Sequence, residues 1–371
     1  MERFVMKIGI LTSSRADFGI YLPLLQKMKS DSFFEIEIIA FGTHLSKFHG
    51  YTILEIEKEN FTKIHKISAL VSNDDAQSIV TSYGITVLKF ADFWSQNSFD
   101  LVFCLGDRFE MSAAVQASIP FNVKIAHIHG GETTLGAIDN IYRHQITLAS
   151  QLHFTSTTIY RNKIASLTGS EANIFDVGSL SLDQIQNFVP INKDEFQTNF
   201  NISNRDFALV TFHPETVEVA ANEKYADEMK KALQEISGFL NIVITMPNAD
   251  TLGSVFRKKI EGLKTENPEK VVLIENFGKL NYFSAMHYSK ILIGNTSSGI
   301  LEAASFKKYV INVGNRQKGR AQSSNVLDTD FCAKNIVSQT KKALNLGVFE
   351  GENIYFQEQA AMAVINIIKK L

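Results

Sequence analysis

Short apolar runs alternate with amphipathic stretches along this chain, and that alternation limits the possible folds more than any other feature. Lys7–Leu11, Ile36–Phe41, Leu101–Leu105, Lys124–Ile128 and Leu152–Thr155 read as strands. Between them, Ile20, Leu24, Leu25 and Met28 recur at helical spacing, and Ile79, Tyr83, Val87, Phe90 and Trp94 share one face of a helix from Asp75 to Trp94. Met111–Ser118 and Ile141–Ala149 read as further helices. The pattern weakens after Gly178, and Leu182–Arg205 is polar and reads as a linker around Pro190. It resumes with strands at Phe207–Phe212, Ile242–Thr245, Val271–Ile274, Ile291–Ile293 and Tyr309–Asn312. Glu223–Leu240, Leu252–Leu263, Lys279–Ser289 and Gly299–Phe306 are the helices between and after them.

Strand and helix in alternation imply an α/β fold with parallel sheets covered on both faces. Two such runs around one linker imply two doubly wound domains, residues 1–190 and 191–355, with residues 356–371 as a C-terminal helix packing back on the first domain. Ligands bind such sheets at the carboxyl ends of the strands, so those ends are the places to look for chemistry.

Composition narrows the function classes. Charged residues at 20% and hydrophobic residues at 45% exclude wholesale disorder. A net charge of -2, from 37 basic and 39 acidic residues, gives no strong field toward nucleic acid or an anionic membrane. No apolar run reaches about 18 residues, so no membrane span is expected. Met1–Ile10 lacks the apolar core of a signal peptide. Cys104 and Cys332 cannot form a disulfide framework, which fits a reducing, cytoplasmic setting.

The strand ends carry the candidate residues. Thr12-Ser13-Ser14-Arg15-Ala16-Asp17-Phe18-Gly19 opens a helix with small residues and Arg15, either an anion site or an ordinary capped turn. In Gly106-Asp107-Arg108-Phe109-Glu110, Asp107 either caps the next helix or faces a substrate, and Glu110 reads as a first-turn acid. His127-Ile128-His129-Gly130-Gly131-Glu132, followed by Asp139, Arg143 and His144, is the densest group of ionisable residues. The His-x-His spacing puts both rings on one side of a strand, as in a metal site, but no second ligand pair has recognisable spacing, so no metal is expected. So many ionisable groups after a buried strand favour function over a salt-bridged helix start.

In the second half, Pro214 stops a strand and projects His213 from the sheet edge, with Glu215 beside it. Gly294-Asn295-Thr296-Ser297-Ser298-Gly299 is a hydroxyl-rich turn into a helix, suited to a diphosphate, with Glu302 one turn on to accept a ribose diol. The bland alternative is a Ser cap with Glu302 as its capping-box partner. Arg316, Lys318 and Arg320 add cations beside the same edge.

These six motifs, in this order, resemble the hydrolysing UDP-N-acetylglucosamine 2-epimerases, and most of all their sialic-acid-pathway members. The resemblance runs over nearly the whole chain. It implies a GT-B fold, two Rossmann-like domains with the active site in the cleft between them, and a homodimer. It implies conversion of UDP-N-acetylglucosamine and water to N-acetylmannosamine and UDP, with no cofactor. By motif, Asp107 and Glu132 would be the catalytic carboxylates, Asp139 and His144 helpers, and His213 a contact to the diphosphate or reacting centre. Arg15, Thr296, Ser297, Ser298, Arg316 and Arg320 would hold diphosphate, and Glu302 the ribose. His129 stands where the non-hydrolysing branch has glutamate, and Thr296 replaces a common serine but keeps its hydroxyl. Related enzymes act on UDP- or GDP-linked diacetamido-trideoxy sugars of legionaminic acid biosynthesis. A GT-B glycosyltransferase and a non-catalytic sugar-nucleotide binder are the readings from other classes.

Overall fold

The computed structural model describes residues 5–371, apart from 72, 74, 216, 218 and 247–252. The sequence-derived expectations at residues 1–4 and at Leu252 lie outside the described residues. Contacts divide the chain into two compact units. The first contains the residues up to Glu132, then Asp139–Gln184 and Tyr355–Leu371; the second contains Thr133–Ile138 and Ile185–Ile354. The main division thus falls after Gln184 rather than at residue 190, and a short segment after Glu132 counts with the second unit.

The first unit holds β1 (Met6–Thr12), β2 (Phe34–Phe41), β3 (Lys63–Ile67), β4 (Leu101–Leu105), β5 (Ile125–Ile128), β6 (Leu152–Thr155) and β7 (Ile174–Asp176). They form one sheet in the order β3-β2-β1-β4-β5-β6-β7, every pair parallel. The second unit holds β8 (Phe207–Thr211), β9 (Asn241–Thr245), β10 (Val271–Ile274), β11 (Ile291–Gly294), β12 (Val310–Val313) and β13 (Val326–Thr329). Its order is β10-β9-β8-β11-β12-β13, again all parallel. In each sheet the order reverses beside the first strand, between β1 and β4 and between β8 and β11. A parallel sheet of this order places its ligand crevice at that reversal.

Both faces of each sheet are buried, which explains why the central strands are largely apolar. On the first sheet, Ile8, Ile10 and Phe103 pack on one side with Tyr21, Leu24 and Leu25, while Leu11, Val102 and Cys104 pack on the other with Phe90, Trp94 and Met111. The helix Arg15–Lys29 is N-capped by Ser14 in a reciprocal capping box with Asp17. The C-terminal helix Ala360–Ile368 packs on it in the first unit, burying Val364, Ile365 and Ile368. The chain re-enters this unit where Tyr355 Oη lies 2.9 Å from Tyr160 Oη and the Ser179 amide donates to Tyr355 O.

Some elements lie outside the alternation rule. β3, β7 and β13 are short edge strands that keep exposed or half-buried positions, so they lack the apolar run of a central strand. The stretch expected as a linker contains a helix, Lys193–Phe200, capped by the Asn192 side chain and anchored by buried Phe196 against Phe277. One buried anchor in a polar segment gives too little periodicity to show in sequence. The helix expected over Gly299–Phe306 is instead Ser297–Leu301 followed by a tighter turn over Ala303–Phe306. Among the described residues no helix is long and apolar enough to cross a membrane.

Phe154 is 1% exposed and stacks between Phe103 and Phe175, at centroid distances of 6.0 and 5.7 Å. Phe154→Ala is expected to cost roughly 3–5 kcal/mol of stability, read as a lower urea midpoint. A change under about 1 kcal/mol would show that this aromatic column does not carry the first unit's core.

Candidate active site

The first unit gathers its ionisable residues beyond β4 and β5. Gly106 leaves β4 at φ +79°, and Asp107 follows. Asp107 does not cap the next helix: the N-cap position is Arg108, and its side chain makes no capping bond. Asp107 instead pairs with Arg143 Nη2. Its side chain remains 25% exposed while that of Arg143 is 3% exposed. Glu110 is buried and held by both ends of the Arg108 fork at 3.2 and 3.0 Å, so it is more than a first-turn acid.

β5 ends at Ile128, and His129 turns the chain with a left-handed φ of 62°. Gly130 and Gly131 make that turn possible. A Cβ at Gly130 would meet His127 Nδ1 at 2.8 Å, and one at Gly131 would meet Tyr160 O at 2.8 Å. The turn delivers Glu132 into a buried position. Glu132 Oε1 lies 2.6 Å from His129 Nδ1 and accepts from Ser156 Oγ at 2.8 Å; Oε2 lies 3.8 Å from Arg143 Nη1. Arg143 Nη1 also donates to His129 O at 2.8 Å. One buried guanidinium therefore joins Asp107, Glu132 and the His129 backbone, a role its sequence position does not signal.

The two rings of the His-x-His pair separate because the strand ends between them. His127 Nε2 donates to Gly106 O at 2.9 Å and Nδ1 lies 3.1 Å from Thr147 Oγ1, whereas His129 turns to Glu132. Burial pushes His127 down to about 3, so it is a neutral structural histidine. Among the described residues no group of three or more His, Cys, Asp or Glu is placed to hold a metal ion. Asp139 opens the helix Asp139–Ala149. His144 lies on that helix and is held below its usual value by burial, then by Lys163 and Arg143.

The turn after β1 behaves differently from an open anion cradle. Asp17 Oδ2 accepts from the Ser13 amide, the Ser13 hydroxyl and the Ser14 amide at 2.8, 2.7 and 3.0 Å, and Oδ1 accepts from Ser14 Oγ. The amides expected to meet a phosphate are filled by the chain's own carboxylate. Arg15 remains as the half-buried basic side chain of this turn. Beside it, His44 is wholly buried between Thr12 and Thr52 hydroxyls at 2.9 and 2.8 Å, and burial lowers it to about 4.

In the second unit, Asn295 assembles the site. Its amide side chain accepts from the His213 backbone N–H at 2.7 Å and donates to His213 O at 2.8 Å. Gly294, at φ +147°, lies so close to β8 that a Cβ would fall 1.8 Å from Thr211 O. Gln317 Nε2 donates to Asn295 O at 2.9 Å, which brings the Arg316–Arg320 turn beside the same strand end. Glu215 Oε1 accepts from the Asn315 amide at 2.5 Å. Asn295, Glu215 and Gln317, to which sequence reasoning assigned no role, thus tie His213 and the turn bearing Arg316 to the strand end that leads into Thr296–Ser298.

The capping-box account of this turn fails. Thr296 is the N-cap residue but its side chain makes no capping bond, and Glu302 lies just past the end of the short helix. Ser298 Oγ lies 2.6 Å from Tyr282 Oη, and burial raises Tyr282 to about 12, so the phenol stays neutral. Glu302 and Arg320 are each 8% exposed.

Two Rossmann-like units with these parallel sheets define the GT-B class. UDP-GlcNAc 2-epimerase from Neisseria meningitidis, solved bound to UDP-GlcNAc, is similar with a TM-score of 0.83 and 16% identity, over 99% of this chain and 100% of that one. The family model for UDP-N-acetylglucosamine 2-epimerase matches residues 26–369, and the chain belongs to that enzyme family. GDP/UDP-N,N'-diacetylbacillosamine 2-epimerase (hydrolyzing) of Campylobacter jejuni is 35% identical, covering 88% of this chain and 84% of its own length. Polysialic acid biosynthesis protein P7 of Escherichia coli is 32% identical, covering 98% and 93%.

The buried histidines set an acid limit. A depressed imidazole is neutral when folded, so the unfolded chain takes up a proton as pH falls through 6.5 while folded His127 does not until about 3. The stability it contributes is complete above 6.5 and declines below. The melting temperature is expected to fall between about pH 7 and about pH 5, and His127→Gln to flatten that slope; an equal slope in the variant would refute the assignment.

Proposed function

We propose that this chain hydrolyses UDP-N-acetylglucosamine to N-acetylmannosamine and UDP, inverting C2. The observation that carries the reading is the pair of carboxylates, Asp107 and Glu132, joined by one buried arginine beyond the carboxyl ends of β4 and β5. A second reading, UDP- or GDP-linked N,N'-diacetylbacillosamine as substrate, is favoured by the name of the 35% identical Campylobacter relative. Both substrates undergo the same reaction. We assign the enzyme to the cytoplasm, in keeping with its free Cys104 and Cys332.

The hydrogen on C2 is not next to a carbonyl, so a free carbanion is too costly. A carboxylate takes the C2 proton as the C1–O bond breaks and its electron pair leaves with UDP. The product is a glycal with a C1–C2 double bond. Water then adds its oxygen to C1, and C2 receives a proton on the opposite face. Asp107, the more exposed carboxylate, meets the ring; Glu132 keeps Oε2 on the side of Arg143 and supplies the second acid–base group. Asp139 and His144 assist from the following helix. On the second unit, Thr296, Ser297, Ser298, Arg316 and Arg320 take the diphosphate, with Arg15 as a further cation, and Glu302 takes the ribose. His213, fixed by Asn295, contacts the leaving phosphate.

Asp107→Asn and Glu132→Gln are each expected to cut kcat by about 10²–10⁴-fold with UDP affinity near normal, measured by product release and calorimetry. In D2O the released sugar should carry deuterium at C2. Product lacking it, or formed only with an added acceptor, would identify a transferase instead. Mass analysis of product from UDP-N-acetylglucosamine and from UDP- and GDP-linked diacetamido-trideoxyglucose separates the two substrate readings.

A further inference from the structure

The segment Thr133–Ile138 begins one peptide bond after Glu132 yet belongs to the second unit. Close backbone approach is one of the things that hold it there, beside the buried Thr134 and Ala137. Leu135 and Ile138 are 55% and 51% exposed. The Leu135 amide donates to Lys318 O at 2.9 Å. Gly136 lies flat against the next turn: a Cβ would fall 2.1 Å from Asn315 O and 2.8 Å from Arg316 Cα. From the other side, Gly319 sits at φ +82°, where a Cβ would meet Thr133 Cγ2 at 2.9 Å and Leu135 at 3.2 Å. Around Gly136 the opposing atoms are backbone, so no rotamer change can make room.

The turn that receives this segment is fixed on its far side to two motifs of the second unit. The Asn315 amide donates to Glu215 Oε1, and Gln317 Nε2 to Asn295 O. It also carries Arg316 and Arg320. Glu132 is as tightly set at the other end, with Oε1 within hydrogen-bond distance of both His129 and Ser156. One peptide bond separates Thr133 from the backbone that carries this carboxylate.

We propose that Thr133–Ile138 is a positioning strap, in which a nucleoside diphosphate held by the Arg316–Arg320 turn orders the strap and the strap in turn sets Glu132. Gly136 and Gly319 are its positioning residues. The proposal rests on the diphosphate role given to Arg316 and Arg320 above. It makes the carboxylate's placement depend on occupation of that turn. Binding energy from the nucleotide is thereby used to orient a group at the sugar.

The test is hydrogen–deuterium exchange on the full-length chain with and without UDP, with calorimetry under the same conditions. UDP is expected to slow exchange in the peptide spanning residues 133–138 by about tenfold or more. Binding seen by calorimetry with no slowing there overturns the strap alone. No binding of UDP overturns the diphosphate reading and the strap with it. Gly136→Ala supplies the kinetic arm. It should lower kcat on the order of 10²-fold, leave KM little changed, and abolish the UDP-dependent protection. A purely structural glycine would lower stability without removing that protection, and a variant with normal kcat refutes the proposal.

Discussion

The buried guanidinium of Arg143 is the interaction around which the ionisable residues of the first unit are arranged. It sits between two carboxylates and a backbone carbonyl, with 3% of its side chain exposed. Removing such a charge leaves uncompensated partners in a low-dielectric setting, which typically costs about 3–5 kcal/mol. The arrangement also gives the two acids different surroundings. Asp107 keeps solvent access, whereas Glu132 is enclosed by His129, Ser156 and Arg143. Two carboxylates of the same type are thus given different environments, the condition under which one fold separates acid and base roles.

The second unit uses neutral groups for the same purpose. Asn295 holds the His213 backbone by both ends of its amide, and Gly294 allows two strand ends to approach closer than any side chain permits. Gln317 and Glu215 then bring the cationic turn to the same edge.

The turn after β1 shows how a motif's donors can be met from within the chain. Small residues ahead of a helix suggest an anion site, and an anion is there: it is Asp17, four residues on from Ser13. A side chain that caps its own helix has an effective concentration no diffusing ligand matches. His127 and His129 teach the converse. Their spacing promises one shared face, but the strand stops at Ile128 and a left-handed residue sends the second ring elsewhere.

The sequence by itself determined the two Rossmann-like units and the family. Those properties rest on local periodicity, turn residues and motif order, all of which are one-dimensional. Only the tertiary structure decided which side chains meet. Arg143 reaches Asp107 across 36 positions, Ser156 reaches Glu132 across 24, and Tyr355 returns to Tyr160 across 195. It also decided the edge strands, the helix inside the apparent linker, and the attachment of Thr133–Ile138 to the second unit. The reason is that a contact between strand ends depends on strand order and crossover path, and no window of sequence encodes either.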